Sequence, residues 1–425
     1  MRKMKDSGVA WISNVPENWQ LLTVGSLFKV RNEKVNDTDY PPLSVTKGGV
    51  VPQMESVAKS DATDNRKMVL KNDFVINSRS DRKQSCGVSS LDGSVSLINT
   101  VLYSAPDAPI LPEYLNCLLK NYGFAEEFYR WGHGIVADLW TTRWQEMKNI
   151  LLPIPSIEEQ QKIISTISAQ TGKVDTLIAN VQAQIEKLKA YKQSLITEVV
   201  TKGLDPSVPM KDSGVEWIGD IATTHRVYRL KFLLSSPMQY GANESGDKFV
   251  EDSVRYIRIT DITADGRLKD DENNQYLPIE VAESYLLKDK DILFARSGGT
   301  VGKSFLYRES YGTSAYAGYL IKAECDQAEL LPEYLIYYTQ SSLYELWKNM
   351  IFIQATIQNI GANKYSNMEI PVPSIQEQFA IVEYLSGKCN QIDQLIAIKQ
   401  QKIDKLNEYK KSLIYEYVTG KKEVS

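Results

Sequence analysis

The chain has 425 residues, with 49 Lys and Arg against 53 Asp and Glu; the net charge of −4 argues against a broadly basic nucleic-acid binder, although whole-chain charge says nothing of local patches. A hydrophobic share of 43% and a charged share of 24% describe an ordinary globular chain of two to three domains, and no apolar run approaches the roughly 20 residues of a membrane span. Four scattered cysteines without a CxxC pair and only two histidines (His133, His225) exclude a disulfide scaffold, a thiolate zinc site and histidine-rich metal chemistry, and they suit a reducing cytoplasm.

In chain order, MRKMKDSG lacks the apolar stretch of a signal peptide and leads into MKDSGVAWI (Met4 to Ile12). The first body, Gln20 to Leu152, alternates apolar and polar residues over Leu43 to Val51, Asp73 to Ser80 and Ser94 to Ser104, which predicts strands. LPEYLNCLLKN, from Leu111, predicts a short helix with Pro112 in its first turn. PIPSIEEQ, from Pro153, opens a long helix: Ser156 is a cap with Glu159 three residues on. Its apolar stripe is Val174, Leu177, Val181, Ile185, Leu188, Tyr191, Leu195 and Val199, spaced in threes and fours.

The text then repeats. MKDSGVEWI returns at Met210, an offset of 206; LPEYL returns at Leu331, an offset of 220; PVPSIQEQ returns at Pro371, an offset of 218. The second body, Arg226 to Ile370, predicts strands over Val254 to Ile262, Asp291 to Gly299 and Ala317 to Glu324, then a short helix at Pro332. A second long helix follows Ser374 and Glu377, with Ile392, Leu395, Ile403, Leu406, Tyr409, Leu413 and Tyr417 on its stripe and Lys399 in the place of Val181. Two matching helices in one chain bury both stripes most simply by pairing with each other as a coiled coil. The spacing therefore predicts an α+β chain in four parts: 1–152, a helix in 153–203, 204–370, and a helix in 371–425. A repeat of this length marks duplicated domains rather than a solenoid.

No catalytic constellation is legible. SGGTVGKS (Ser297 to Ser304) looks like a phosphate loop, but the glycine required five residues before Gly302 is Ser297. TDYPPLS (Thr38 to Ser44) lacks the asparagine and aromatic of an amino-methyltransferase loop, and no nuclease carboxylate cluster is present. What remains is local, polar and basic. VINSRSDRKQS carries Arg79, Arg82, Lys83 and Gln84; VRYIRITD carries Arg255 and Arg258; LFARSGGTVGKS carries Arg296 and Lys303. The loops RWGHGIVADLWTTRW and IQATIQNIGANK add Arg143, Gln354, Thr356 and Gln358. Arg and Lys suit guanine edges, Gln and Asn adenine, and Thr the thymine methyl. Exposed basic turns are commonly just solvated, but these recur in the divergent part of both bodies.

At this point the residues resemble the specificity subunits of type I restriction–modification systems, over essentially the whole chain. MKDSGVAWISNVPENW and MKDSGVEWIGDI are similar to the family's opening motif, which typically reads MKDSGIEWIGEIPEHW; the second copy departs after Asp220, where ATTHRVYRL replaces Pro-x-x-Trp. LPIPSIEEQQKII and IPVPSIQEQFAIV resemble the junction into the family's two helices, and DILFARSGGTVGK resembles a segment common in its target recognition domains.

The resemblance implies two target recognition domains, each reading one half of a split, asymmetric site in double-stranded DNA. An antiparallel helix pair would act as a ruler between them. The partners implied are two methyltransferase subunits, which carry the cofactor, and motor–nuclease subunits; this chain would be non-catalytic, without cofactor, metal or membrane. The residues assigned to DNA are Lys47, Arg79, Arg82, Lys83, Gln84 and Arg143 in the first domain and Arg255, Arg258, Arg296, Lys303, Gln354, Thr356 and Gln358 in the second, with the helix lysine Lys189 as a neutral comparison. Helix pairing is assigned to Val174, Leu177, Val181, Leu188, Leu195, Ile392, Leu395, Leu406 and Leu413. The rival is an adaptor gripping proteins with two divergent domains on a coiled-coil strut; selective binding of a split duplex separates the two. The first body holds 15 basic and 15 acidic residues and the second 16 and 20, so DNA affinity has to come from local loops and partners.

Overall fold

A computed structural model describes residues 2–53, 65–79, 82–134, 140–263, 266–353 and 359–424. The chain forms two compact units: residues 1–182 with 400–425, and residues 183–399. Each long helix, Ile157–Lys202 and Ile375–Val418, therefore gives its first half to one unit and its second half to the other.

The opening repeat is a turn-building device. Met4–Asp6 pairs antiparallel with Asn14–Pro16, and Met210–Asp212 with Asp220–Ala222. In each, the aspartate (Asp6, Asp212) accepts a hydrogen bond from the glycine N–H two residues on, and the serine hydroxyl (Ser7, Ser213) accepts from the valine N–H. Gly8 and Gly214 have φ of +69° and +75°, the left-handed region that glycine tolerates without strain. The D-S-G triplet is thus a structural requirement of the turn.

The bodies, so different in sequence, carry the same main sheet. In the first, β1 (Phe28–Val30), β2 (Phe74–Asn77), β3 (Cys86–Val88) and β4 (Asn99–Ser104) lie in the order β1-β4-β2-β3, all antiparallel. In the second, β5 (Gln239–Tyr240), β6 (Ile292–Ala295), β7 (Ser304–Leu306) and β8 (Leu320–Ala323) lie in the order β5-β8-β6-β7, again antiparallel. Each of β2 and β6 is preceded by a buried aspartate. Asp73 accepts from Leu70 N–H and from Arg31; Asp291 accepts from Lys288 N–H, with Lys322 3.8 Å away. The smaller sheets differ: Arg66–Val69 pairs antiparallel on both sides, whereas Ser253–Ile257 has one parallel neighbour, Ser314–Tyr316. Leu43 to Val51, expected as one strand, is a hairpin of Leu43–Thr46 and Gly49–Pro52 turning at Lys47 and Gly48.

Each unit is closed by the end of the other repeat's helix. In the first, the buried Tyr114 hydroxyl donates to the carbonyls of Pro153 and Val418. In the second, Tyr334 donates to those of Pro371 and Val200. Leu413, Tyr417 and Val418 belong to the first unit's core, and Ile196, Val199 and Val200 to the second's. Gln160 and Gln378, both fully buried, are equivalent clamps: Gln160 accepts from Leu111 N–H and donates to Pro109 and Pro155, while Gln378 accepts from Leu331 N–H and donates to Glu329 and Pro373.

Ser156 and Ser374 accept from the N–H groups of Glu159 and Glu377, as expected of caps. The glutamate side chains do not return to the caps. Glu159 takes Arg2 and the indole N–H of Trp19, and Glu377 faces Nε2 of His225 at 3.3 Å. His225 thus occupies the role of Trp19 in the copy that lacks the tryptophan.

Helix pairing is antiparallel within each unit, fixed by one ion pair used twice. Lys410 meets Asp175 at 2.6 Å in the first unit and Lys192 meets Asp393 at 2.7 Å in the second; the two pairs are related by the 218-residue repeat. Val174, Val181, Ile392 and Leu413 are buried, and Leu188, Leu195 and Leu406 are half-buried. Leu177 and Leu395, assigned to the seam from sequence, are each 47% exposed. The 4-3 spacing runs through Ile178 and Ile396 instead, because one residue rotates a side chain by about 100° around the helix. Lys399, in place of Val181, reaches Gln184 Oε1 at 2.6 Å.

Candidate nucleic-acid interface

In both units the edge of the main sheet receives a second loop. Thr142 N–H donates to Ser78 O, just past β2, and Ile360 N–H donates to Arg296 O, just past β6. Arg79 forms a bridge with Thr141, and Ser297 with Asn359. The starts of the basic turns singled out from sequence, at Arg79 and at Arg296, and the returns of the polar loops therefore meet at equivalent places, with different side chains at each.

In the first unit, Arg79, Arg82, Lys83 and Gln84 gather round a small cavity walled by Phe128, Tyr129, Trp140 and Thr142. Tyr129 and Trp140 stack at 5.7 Å. Lys83 lies 4.4 Å over the Tyr129 ring and pairs with Glu126 at 2.9 Å. Gln84 has a φ of +65°, which aims the turn. Arg79, Arg82 and Arg143 are exposed; Arg143 also caps Trp144–Met147 through its carbonyl. Lys47 is exposed on a separate hairpin, whose Gly48 carbonyl accepts from Lys120.

In the second unit three of the chosen arginines are engaged in the framework. Arg255 donates to Lys269 O and Asn274 Oδ1, with Asp270 3.7 Å away. Arg258 holds Asp261 through two hydrogen bonds and Asn273 O through a third. Arg296 donates to Gly318 O, lies 4.9 Å over the Tyr240 ring and leaves its buried Nε without a partner. Tyr240 in turn accepts from Ala362 N–H, so Arg296 braces the return of the polar loop. Lys303 lines an open cleft on the far side of the glycine-rich turn. Gln354, Thr356 and Gln358 lie outside the described residues.

Sequence reasoning passed over two aromatic groups. Tyr319, 60% exposed, and Tyr240, 44% exposed, flank the edge beside Arg296. The signal was thin: in AGYLIKAE the tyrosine sits inside an apolar alternation that reads as core. Among the described residues, no group of three or more His, Cys, Asp or Glu could hold a metal, and no helix is long and apolar enough to cross a membrane.

Residues 233–408 match the family described as type I restriction modification DNA specificity domain. Residues 233–408 thus carry that family's domain, and the chain as a whole is similar to type I restriction enzyme specificity subunits. It is similar to the type I restriction enzyme MjaVIII specificity subunit of Methanocaldococcus jannaschii, at 26% identity over 64% of this chain and 62% of that one. It is also similar to the putative MjaX specificity subunit of the same organism, at 22% identity over 96% of this chain and 95% of that one. The chain thus spans less than two thirds of the first relative and nearly all of the second. A solved chain, from a study of complex assembly and conformational transition in the type I R-M system, superposes with a TM-score of 0.67 at 15% identity, covering 95% of this chain and 98% of that one; that likeness speaks for the fold. The specificity subunits that this chain resembles are non-catalytic.

Proposed function

We propose that this specificity subunit reads a bipartite, asymmetric sequence in double-stranded DNA, one half through each body. The observation that carries the reading is the repeated edge: two sheets of the same order each bring a basic turn and a polar loop return together, at Ser78 with Thr142 and at Arg296 with Ile360, on divergent side chains. One scaffold with two chemistries fits two different half-sites. Phosphate contacts come from Lys47, Arg79, Arg82, Lys83, Arg143 and Lys303, and base contacts from Gln84, Gln354, Thr356 and Gln358. Arg255, Arg258 and Arg296 contribute chiefly by fixing the shape of the second edge, with their remaining N–H groups available to the duplex.

The paired helices set the separation of the half-sites. The domain limits are 1–152, 153–203, 204–370 and 371–425, with both recognition domains outside the helical segments. The chain also holds two methyltransferase subunits and, through them, motor–nuclease subunits, in the cytoplasm. Equivalent apolar pairs support two partners: Leu177 and Tyr409 stand exposed in the first unit, and Leu395 and Tyr191 in the second.

Sequencing of methylated adenines in the host genome, with and without this gene, tests the reading. A split motif methylated only when the gene is present is expected. An unchanged pattern in the deletion strain would sink it.

A further inference from the structure

Beside the second unit's edge, residues 242–246, 258–260, 275 and 317–319 line an open pocket of 520 Å³, with Tyr256 as its floor. The pocket joins the edge directly. Gly318 O accepts from the Arg296 guanidinium and Tyr319 O from the Arg296 N–H, and the Arg296 carbonyl takes Ile360 N–H. The lining is held from behind. Tyr256, itself buried, donates its hydroxyl to Ala242 O at 2.7 Å and to Glu244 O at 3.1 Å, and Gly318 N–H donates to Ala242 O. A Cβ on Gly246 would stand 2.7 Å from the Gln275 Cβ, so glycine is what lets this loop lie against Gln275.

The polar groups here differ from those of the basic turns. Arg258 is the one cation among the lining residues, and Asp261 already matches it through hydrogen bonds of 2.8 and 3.1 Å. Glu244 is exposed and has no ion-pair partner among the described residues. The side-chain amides of Asn243 and Gln275 and the hydroxyl of Tyr319 likewise have no hydrogen-bond partner among the described residues. An unmatched carboxylate repels a phosphate. It suits instead the exocyclic amine of a base, and a free amide, donor and acceptor together, suits adenine.

We propose that Gln275 and Glu244 are specificity-determining residues of the second body: Gln275 pairs with an adenine edge, and Glu244 accepts from the exocyclic amine of a neighbouring cytosine or adenine. The proposal rests on the DNA reading above and assigns base discrimination to a pocket that none of the basic turns supplies. Tyr319, 60% exposed, walls the side next to Arg296. Because the backbone under Glu244 is tied to Tyr256, the two side chains are presented on a fixed frame, which favours discrimination over adaptable contact. Contacts of this kind specify sequence and leave the attraction to phosphates unchanged.

The test uses the full chain co-purified with its methyltransferase subunit. The duplexes are the methylated motif found in the genome, a set with one base pair of that motif changed in each, and a scrambled motif. Gln275→Ala and Glu244→Ala should each lower affinity for the intact motif roughly 5- to 150-fold. Each should also erase discrimination at one or two adjacent positions of one half-site, leaving the other half-site read as before. The slope of log affinity against log salt should stay at the wild-type value, since no phosphate contact is lost. Glu244 is exposed, so its variant tests the pocket even where Gln275→Ala fails to fold. Full discrimination retained at every position by Glu244→Ala overturns the proposal. An equal loss across both half-sites, or a reduced salt slope, makes the pocket a structural or backbone element and overturns it as well. A wild-type complex that binds the scrambled duplex as tightly as the motif would instead overturn the DNA reading itself.

Discussion

Glu159 and Glu377 occupy equivalent positions and meet different partners, an indole N–H from Trp19 in one unit and the imidazole of His225 in the other. The difference has a consequence for pH. His225 is fully buried; burial holds its pKa below the ordinary value of 6.5, and the nearby Glu377 offsets that only in part. With a lowered folded-state pKa the neutral ring is the form that folds, so its contribution is complete above pH 6.5 and is lost as pH falls through the folded-state value. The second unit should therefore lose heat stability as pH drops from about 7 to 5. His225→Gln, which can donate to Glu377 without titrating, should flatten that part of the profile; an identical slope in the variant would refute the assignment. This exchange was half legible in the sequence. ATTHRVYRL visibly breaks the Pro-x-x-Trp pattern, but only the fold puts the histidine against the same carboxylate. The arginines show the opposite limit: spacing finds Arg255 and Arg258, and cannot show that Asp270, Asn274 and Asp261 have already engaged them.

At the scale of elements, helix existence and approximate ends followed directly from periodicity, because the stripes run for many turns and are bounded by Pro and Ser. The phase did not. Leu177 and Ile178 are both apolar, as are Leu395 and Ile396, so threes and fours can be counted through either; burial selects the isoleucines. The repeated Lys–Asp pair breaks the tie of register. Each pair is partly exposed, so its contribution to stability is on the order of 0.2–1 kcal/mol, too little to hold the helices together. Its value lies in alignment, since a shifted register leaves Lys192 and Lys410 on an apolar seam without their carboxylates. Lys192→Asp with Lys410→Asp should weaken the antiparallel pairing by placing like charges together, measured as a lower melting temperature. Adding Asp175→Lys and Asp393→Lys should restore it; no rescue in the fourfold variant would rule out the register role. The strands were legible as short alternations; the turn at Lys47–Gly48 was marked only by the polar Lys47 and the two glycines that interrupt the alternation there.

At the scale of the whole chain, the repeat announced two related units, but not that each would be finished by the other's helix. No sequence pattern states that Val418 reaches Tyr114, 304 residues away. A chain ending at Lys399 should lose the first unit's fold, because Leu413, Tyr417 and Val418 leave its core, while the second unit keeps every segment it contains. Limited proteolysis should then degrade residues 1–152 and spare 204–370; equal protection of both would contradict the closure. The exposed apolar pairs belong to this scale too. Leu177→Glu with Leu395→Glu should leave the melting temperature within about 1 °C, since neither side chain is on the seam, and should abolish co-elution with the methyltransferase. Retained co-elution would move the docking surface elsewhere.

The closure of Tyr114 by Val418 also sets a schedule for synthesis. Ribosomes add about 5–20 residues per second, so the first unit waits roughly 15–60 s, open along its Tyr114 face, for the segment that completes it. Over that interval its core is available to chaperones and proteases, whereas the second unit has all its segments once residue 399 has emerged. A prematurely terminated chain thus declares itself by a first domain that never closes. The last turns of the second long helix close the first unit, so only chains that include them complete both units.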